Sequence, residues 1–302
     1  MHLLVVSHEG IETLAAKQMS SDKALLLEKA FQLYSPGTEC PADMISAISL
    51  GEPFLTTVDS VYEQAVHNEA VNNDVFVKDG EFQTLTPIKH PPKNVMCVGK
   101  NYAAHAIEMG SAKDIPDHPL IFTKAHTTIC AHQDNVSLHS DITEQVDYEG
   151  ELAIVIGKKG TKIEREDAWD YIFGFTLLND ITARDLQARH KQFFVGKSLD
   201  GFCPIGPSIV TRLSEEELLK ETITTTVNDE VRQQAPLTDM IFDVRELIHV
   251  LSKGMTLEPG DIIATGTPSG VGKGMKPPKF LKAGDEVVIT IPAIGELRNQ
   301  MV

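Results

Sequence analysis

Past Asn94 the apolar residues come in short runs, many of them β-branched: 95–97, 154–156, 209–210, 223–227, 262–264 and 287–291, punctuated by Gly, Pro and Asp. Runs of this length suit strands better than core helices, so the region is predicted to be mainly β. Candidate helices are fewer, at 101–109, 165–171, 182–193 and 243–252. Residues 1–86 read differently. A short apolar start leads into a helix-like stretch carrying Ala24, Leu25, Leu26, Leu27, Ala30, Phe31 and Leu33, then into scattered polar segments with no chemical constellation. Three prolines within 87–92 mark a boundary. The expected fold class is α+β, with a small N-terminal α+β domain over 1–86 and a mainly β domain over 87–302.

At 302 residues the chain is long enough for one or two domains, and its 42% hydrophobic content is that of a globular protein. The 43 acids against 27 Lys and Arg leave a net charge of −16. That balance argues against nucleic acid or an anionic membrane as partner. A small bound anion would need local cations to overcome the overall field. Cys40, Cys97, Cys130 and Cys203 are far apart and form no C-x-x-C pair. Neither a zinc ribbon nor a disulfide framework fits, and a reduced, cytoplasmic setting is expected. The apolar start lacks the basic flank and the length of a signal peptide. No run approaches the roughly 20 apolar residues that a transmembrane helix needs.

The chemistry begins at Asp147-Tyr148-Glu149-Gly150-Glu151, where an apolar strand starts. Residues i and i+2 of a strand share a face, so Glu149 and Glu151 stand side by side. Two like charges held that close repel, and a divalent cation neutralises them compactly; the simpler account is two solvated acids at a strand end. A second strand ends at Asn179-Asp180, followed by Arg184 and Gln187 at helical spacing. These three can aim an acid, a cation and an amide at one place, or Asp180 can cap the helix and pair with Arg184. Three acids from two strands suggest an all-oxygen site for Mg²⁺ or Mn²⁺. The histidines at 126, 132 and 139 match no zinc spacing. His105 and Glu108, i and i+3 on a short helix ending near Gly110, can form a base that activates water, or an incidental surface pair. The glycine-rich stretches around Gly196-Lys197-Ser198 and 261–274 both fail the Walker pattern, which argues against ATP or GTP.

In order and spacing these segments resemble the fumarylacetoacetate hydrolase family from about Val95 to the C-terminus. The matching motifs are Lys100-Asn101-Tyr102-x-x-His105-x-x-Glu108, Tyr148-Glu149-x-Glu151, Asn179-Asp180-x-Thr182-Ala183-Arg184-Asp185, Gly196-Lys197-Ser198 and Thr265-Gly266-Thr267-Pro268-x-Gly270. Within the family the chain is similar to the bacterial branch with an added N-terminal domain, some of whose members act on oxaloacetate or acylpyruvates. The resemblance implies a mixed β-roll core, a homodimer, and Glu149, Glu151 and Asp180 as ligands of Mg²⁺ or Mn²⁺. It implies that Lys197 stabilises a developing enolate and that Arg184, Gln187 and Thr267 bind the oxygens of a small 2-oxo acid. His105 and Glu108 match the water-activating pair of hydrolytic members, on a helix that orders with substrate beside a lid at 111–119. The extra acid and tyrosines of the fumarylacetoacetate-specific members have no equivalents that can be placed here, which points away from that substrate.

The implied activity is metal-dependent cleavage of a C–C bond in a small 2,4-dioxo acid or oxaloacetate, by acylpyruvate hydrolysis or oxaloacetate decarboxylation. Both pass through an enolate at the C2 oxygen. The alternatives are an isomerase or hydratase of a related dioic acid, or a non-catalytic binding or regulatory protein on the same scaffold.

Overall fold

The computed structural model describes residues 1–69 and 73–302. Its organising element is the strand Gly150–Ile156, buried along its whole length. Both faces of this strand are covered. Leu152, Ile154 and Ile156 join a core with Phe175 and Leu177 of the neighbouring strand and with Ile223, Val227, Ile289 and Leu297 of a second sheet. Ala153 and Val155 join another core with Phe173 and Ile209, and with Leu3, Phe31, Ile48 and Phe54 from the N-terminal residues. Successive strand residues point to opposite faces, so one run of seven feeds two cores.

The large sheet runs, edge to edge, Phe76–Lys78, Lys23–Leu26, Ile11–Lys17, His2–His8, Cys203–Thr211, Ile172–Asn179, Gly150–Ile156, Ile262–Ala264, Val95–Gly99 and Leu120–Lys124. A five-stranded sheet packs across it, in the order Glu230–Pro236, Thr222–Val227, Glu286–Ile291, Gly295–Met301 and Asn135–Val136. Both paths have free ends, so the sheets do not close into a barrel. The architecture is the α+β one expected from the sequence.

Strands before Pro87 pair into the large sheet. His2 and Leu3 pair with Val210 and Ile209. The helices Leu27–Tyr34, Met44–Leu50 and Glu52–His67 contribute buried residues to the core that Ala153 and Val155 enter.

Two local expectations change. The stretch read as helical from Ala24 is a strand over Lys23–Leu26 and a helix only from Leu27. Leu25 and Leu26 pair with Ala16 and Ala15 and are buried on both sides, which gives an unbroken apolar run instead of alternation. The helix expected over 165–171 is one 3-10 turn, Ala168–Tyr171, because the strand Ile172–Asn179 begins at once. The other expected helices appear, shorter at their ends, as Ala103–Glu108, Arg184–His190 and Val244–Ser252. No helix among the described residues is long and apolar enough to cross a membrane. All four cysteines are free thiols.

Candidate functional site

One end of one β-ladder delivers the three acids. Gly150 pairs with Asn179, so Glu149, Glu151 and Asp180 meet where the two strands begin and end. The Glu149 amide donates to the Asn179 side chain at 3.0 Å, and the Asp180 amide donates to the Glu149 carbonyl at 2.8 Å. These bonds fix the junction. Ligand oxygens of the three carboxylates lie within 4.8 Å of one another, and all three side chains are buried.

Three buried cations surround them. Lys197 Nζ donates to Glu149 Oε2 and to Asp180 Oδ2, each at 2.6 Å, and lies over the Phe122 ring. Lys124 Nζ donates to Asp180 Oδ1 at 2.7 Å and to the Ile181 carbonyl at 3.0 Å. Arg184 Nε donates to Asp147 Oδ2 at 2.8 Å. Its Nη2 stands 2.7 Å from Glu149 Oε1 but is not aligned for a hydrogen bond, and it is left as a buried donor without a partner among the described residues. Glu151 Oε2 accepts from the Gly266 amide at 2.7 Å. Gly266 has φ +100°, and a Cβ there would stand 2.9 Å from the Val98 carbonyl oxygen, so the turn that aims this amide requires glycine.

The charges do not balance within the protein. Asp147, Glu149, Glu151 and Asp180 face Lys124, Arg184 and Lys197, all buried. The shortfall shows at Glu151, where burial, reinforced by Asp180 and Glu149, pushes the carboxyl well above the usual range. Burial acts the same way on Glu149 but is overcome by Lys197 and Arg184, which hold its carboxyl low. At Lys197 burial is overcome by Asp180 and Glu149, so the ammonium is raised and stays charged. An oxygen cluster short of positive charge fits a hard divalent cation. Glu149, Glu151 and Asp180 are the residues that can hold one.

A cavity of about 350 Å³ opens over this cluster, a size that suits a small ligand. Glu149, Glu151, Arg184 and Lys197 line it together with His105, Gln187, Thr267 and Lys273. The capping account of Asp180 does not describe the structure. The helix Arg184–His190 starts after Ala183 without a side-chain cap, and Arg184 turns to Asp147 and Glu149. Gln187 Oε1 accepts from Arg184 Nη1 at 3.3 Å. The Thr267 hydroxyl donates to the Gly150 carbonyl at 3.0 Å and accepts from Gln233 at 2.7 Å.

His105 Nδ1 lies 3.5 Å from Glu108 Oε2, without a hydrogen bond. Both Glu108 oxygens instead accept from the Gly270 amide, at 3.0 and 3.1 Å. Of the histidines dismissed as zinc ligands, His132 accepts from the Arg298 amide and His139 contacts the Asp200 carbonyl.

Sequence reasoning gave no role to Lys124, Asp147 or Gln233. Asp147 carried a usable signal, since it has the same strand parity as Glu149 and Glu151. Lys124 is the lone cation closing the run Leu120-Ile121-Phe122-Thr123. Gln233 carried none, because it reaches the site from the other sheet, where it accepts from the Gly150 amide at 3.0 Å.

The fumarylacetoacetate (FAA) hydrolase C-terminal family profile matches residues 94–302. The oxaloacetate tautomerase YisK of Bacillus subtilis (strain 168) is 50% identical over 283 residues, covering 94% of each chain. Among solved structures, a fumarylacetoacetate hydrolase from Exiguobacterium antarcticum superposes with a TM-score of 0.82 at 38% identity, covering 100% of this chain and 99% of that one. A 5-carboxymethyl-2-hydroxymuconate delta-isomerase from Mycobacterium smegmatis does so with a TM-score of 0.75 at 29% identity, with the same coverage. The chain belongs to the fumarylacetoacetate hydrolase family.

Proposed function

We propose that the protein interconverts the keto and enol forms of oxaloacetate or a close 2-oxo diacid. The observation that carries this reading is Lys197, a buried ammonium held between Glu149 and Asp180 on the cavity. An ammonium has three donors. Two are engaged by the acids, which leaves one for a substrate oxygen. The shared step of enolisation puts negative charge on the C2 oxygen, and a fixed cation there stabilises it most in the transition state. Arg184 Nη2, buried and ion-paired with Glu149 at 2.7 Å but without an aligned hydrogen bond among the described residues, supports the same reading as a donor for the substrate's carboxylate. His105, buried on the cavity with its Nδ1 free, takes the C3 proton and returns it to oxygen. Glu149, Glu151 and Asp180 would hold Mg²⁺ or Mn²⁺, which when bound would supply Lewis-acid polarisation of the substrate's carbonyl.

C–C bond cleavage is a second reading, favoured by one observation. Glu108 Oε2 lies 3.5 Å from His105 Nδ1, so a small shift away from the Gly270 amide would let it orient the ring as a base for water. Decarboxylation or acylpyruvate hydrolysis would break the C3–C4 bond of the keto form and leave its electron pair as an enolate on the same C2 oxygen, where Lys197 stands. The reading extends to a small N-terminal domain over 1–86 carried on a catalytic domain over 87–302, to a homodimer, and to a cytoplasmic setting without nucleic acid or membrane as partner.

The deciding experiment mixes the protein with Mg²⁺ and enol-enriched oxaloacetate, following the enol absorbance and CO₂ release together. Faster loss of enol without CO₂ supports tautomerisation. CO₂ release with no acceleration of the enol–keto exchange overturns it in favour of cleavage.

A further inference from the structure

Lys273 reaches the cavity with no ion pair or hydrogen bond to its ammonium among the described residues, although its backbone is firmly held. Its amide donates to Asp147 Oδ2 at 3.0 Å, the oxygen that also accepts from Arg184 Nε at 2.8 Å. The adjoining Gly272 amide donates to Asp147 Oδ1 at 2.7 Å. One buried carboxylate therefore ties the backbone under Lys273 to the guanidinium over the acid cluster. Lys273 and Arg184 line the same cavity, and burial and then Arg184 push the Lys273 amine below its ordinary value.

The other lysines of the cavity differ. Lys100 is paired with Asp114 at 3.3 Å, and Lys197 is held by Glu149 and Asp180. Lys191 also lacks a partner for its ammonium among the described residues, but it follows the end of the helix Arg184–His190 at φ 60° and has no anchor comparable to Asp147.

We propose that Lys273 is a specificity-determining residue that binds the far carboxylate of a 2-oxo diacid, selecting dianions over monoanionic 2-oxo acids. The inference rests on the reading of the site given above, which places the 2-oxo end of the substrate at Lys197 and the acids. A cation fixed at its backbone and unpaired at its tip gains its counter-ion only when the second carboxylate arrives.

The test uses binding, so that it does not depend on turnover. In the presence of Mg²⁺, calorimetry compares dimethyloxaloacetate, whose quaternary carbon blocks enolisation, with its monoester at the far carboxylate. Wild type is expected to prefer the diacid. Lys273→Met should weaken the diacid by about five- to tenfold and leave the ester within about twofold. Lys273→Arg should keep the preference, and Lys191→Met should not alter it. Equal weakening of both ligands by Lys273→Met, loss of preference in Lys191→Met alone, or a wild type that binds both ligands equally or neither would overturn the assignment. A wild type that prefers the diacid yet leaves oxaloacetate tautomerisation unaccelerated would refute the proposed reaction and still support Lys273.

Discussion

The base and the rim of the cavity are built on opposite principles. At the base, Glu149, Glu151, Asp180, Lys124, Lys197 and Arg184 are buried on or beside the strands of a sheet, and most of their polar atoms have fixed partners. At the rim, His105 and Glu108 sit on a six-residue helix, and Lys273 sits in the 3-10 turn Gly272–Gly274 with its ammonium unpaired among the described residues. Charges that must act on a transition state without rearranging belong on the rigid part. Groups that move a proton or choose between ligands can sit on elements anchored at only one point. If this contrast is right, base mutations change metal binding and chemistry together, whereas rim mutations separate them.

The largest effect is expected at Asp180. Asp180→Ala removes a proposed ligand and takes one carboxylate partner from both Lys124 and Lys197, so Mg²⁺ affinity should fall by at least about 100-fold and activity to background. Normal metal content with full activity would remove Asp180 from the ligand set. Lys197→Met tests the base from its cationic side, with kcat expected to fall on the order of 10³-fold, the scale of losing a preorganised donor to a developing oxyanion. An unchanged kcat with only a higher KM would make Lys197 a binding residue instead.

His105→Ala probes the rim. A general base contributes on the order of 10²-fold or more, so kcat should drop by about that much. Metal affinity, read by calorimetry, should stay within about threefold of wild type, because His105 touches none of the three acids by hydrogen bond. Parallel loss of metal affinity would show that the two parts are not independent.

The same contrast governs what could be read from the sequence. The base follows from local rules. Strand parity puts Glu149 and Glu151 on one face, and Asp180 comes just after the next strand ends at Asn179, the residue paired with Gly150. The counter-ions needed more. Lys124 arrives from the far edge strand of the large sheet, and Gln233 from the other sheet, so no spacing within a segment announces them. At the rim the sequence suggested a His–Glu pair, but the Glu108 carboxylate is turned to the Gly270 amide by a loop 162 residues away in the chain. In the N-terminal region, Lys23–Leu26 was misread for a related reason. A strand covered on both faces loses its alternation and takes on the look of a helix.

The smallest effect separates two neighbours within the base. In the metal-free protein the Glu151 carboxyl is raised, so the folded state keeps its proton to higher pH than the unfolded chain does. Its contribution is therefore present below the ordinary carboxyl range and lost as pH rises through the folded value. The Glu149 carboxyl is held low, and its contribution has the opposite sign: present above the ordinary range and lost as pH falls. Thermal melts in chelator at neutral pH should therefore show Glu151→Gln a few degrees more stable than wild type and Glu149→Gln less stable. Added Mg²⁺ should raise the Tm of wild type and leave Glu151→Gln behind, because binding to the folded state stabilises it by mass action. If both variants melt alike in chelator, the missing positive charge is not concentrated on Glu151, and the case for a cation at that carboxylate loses its electrostatic support.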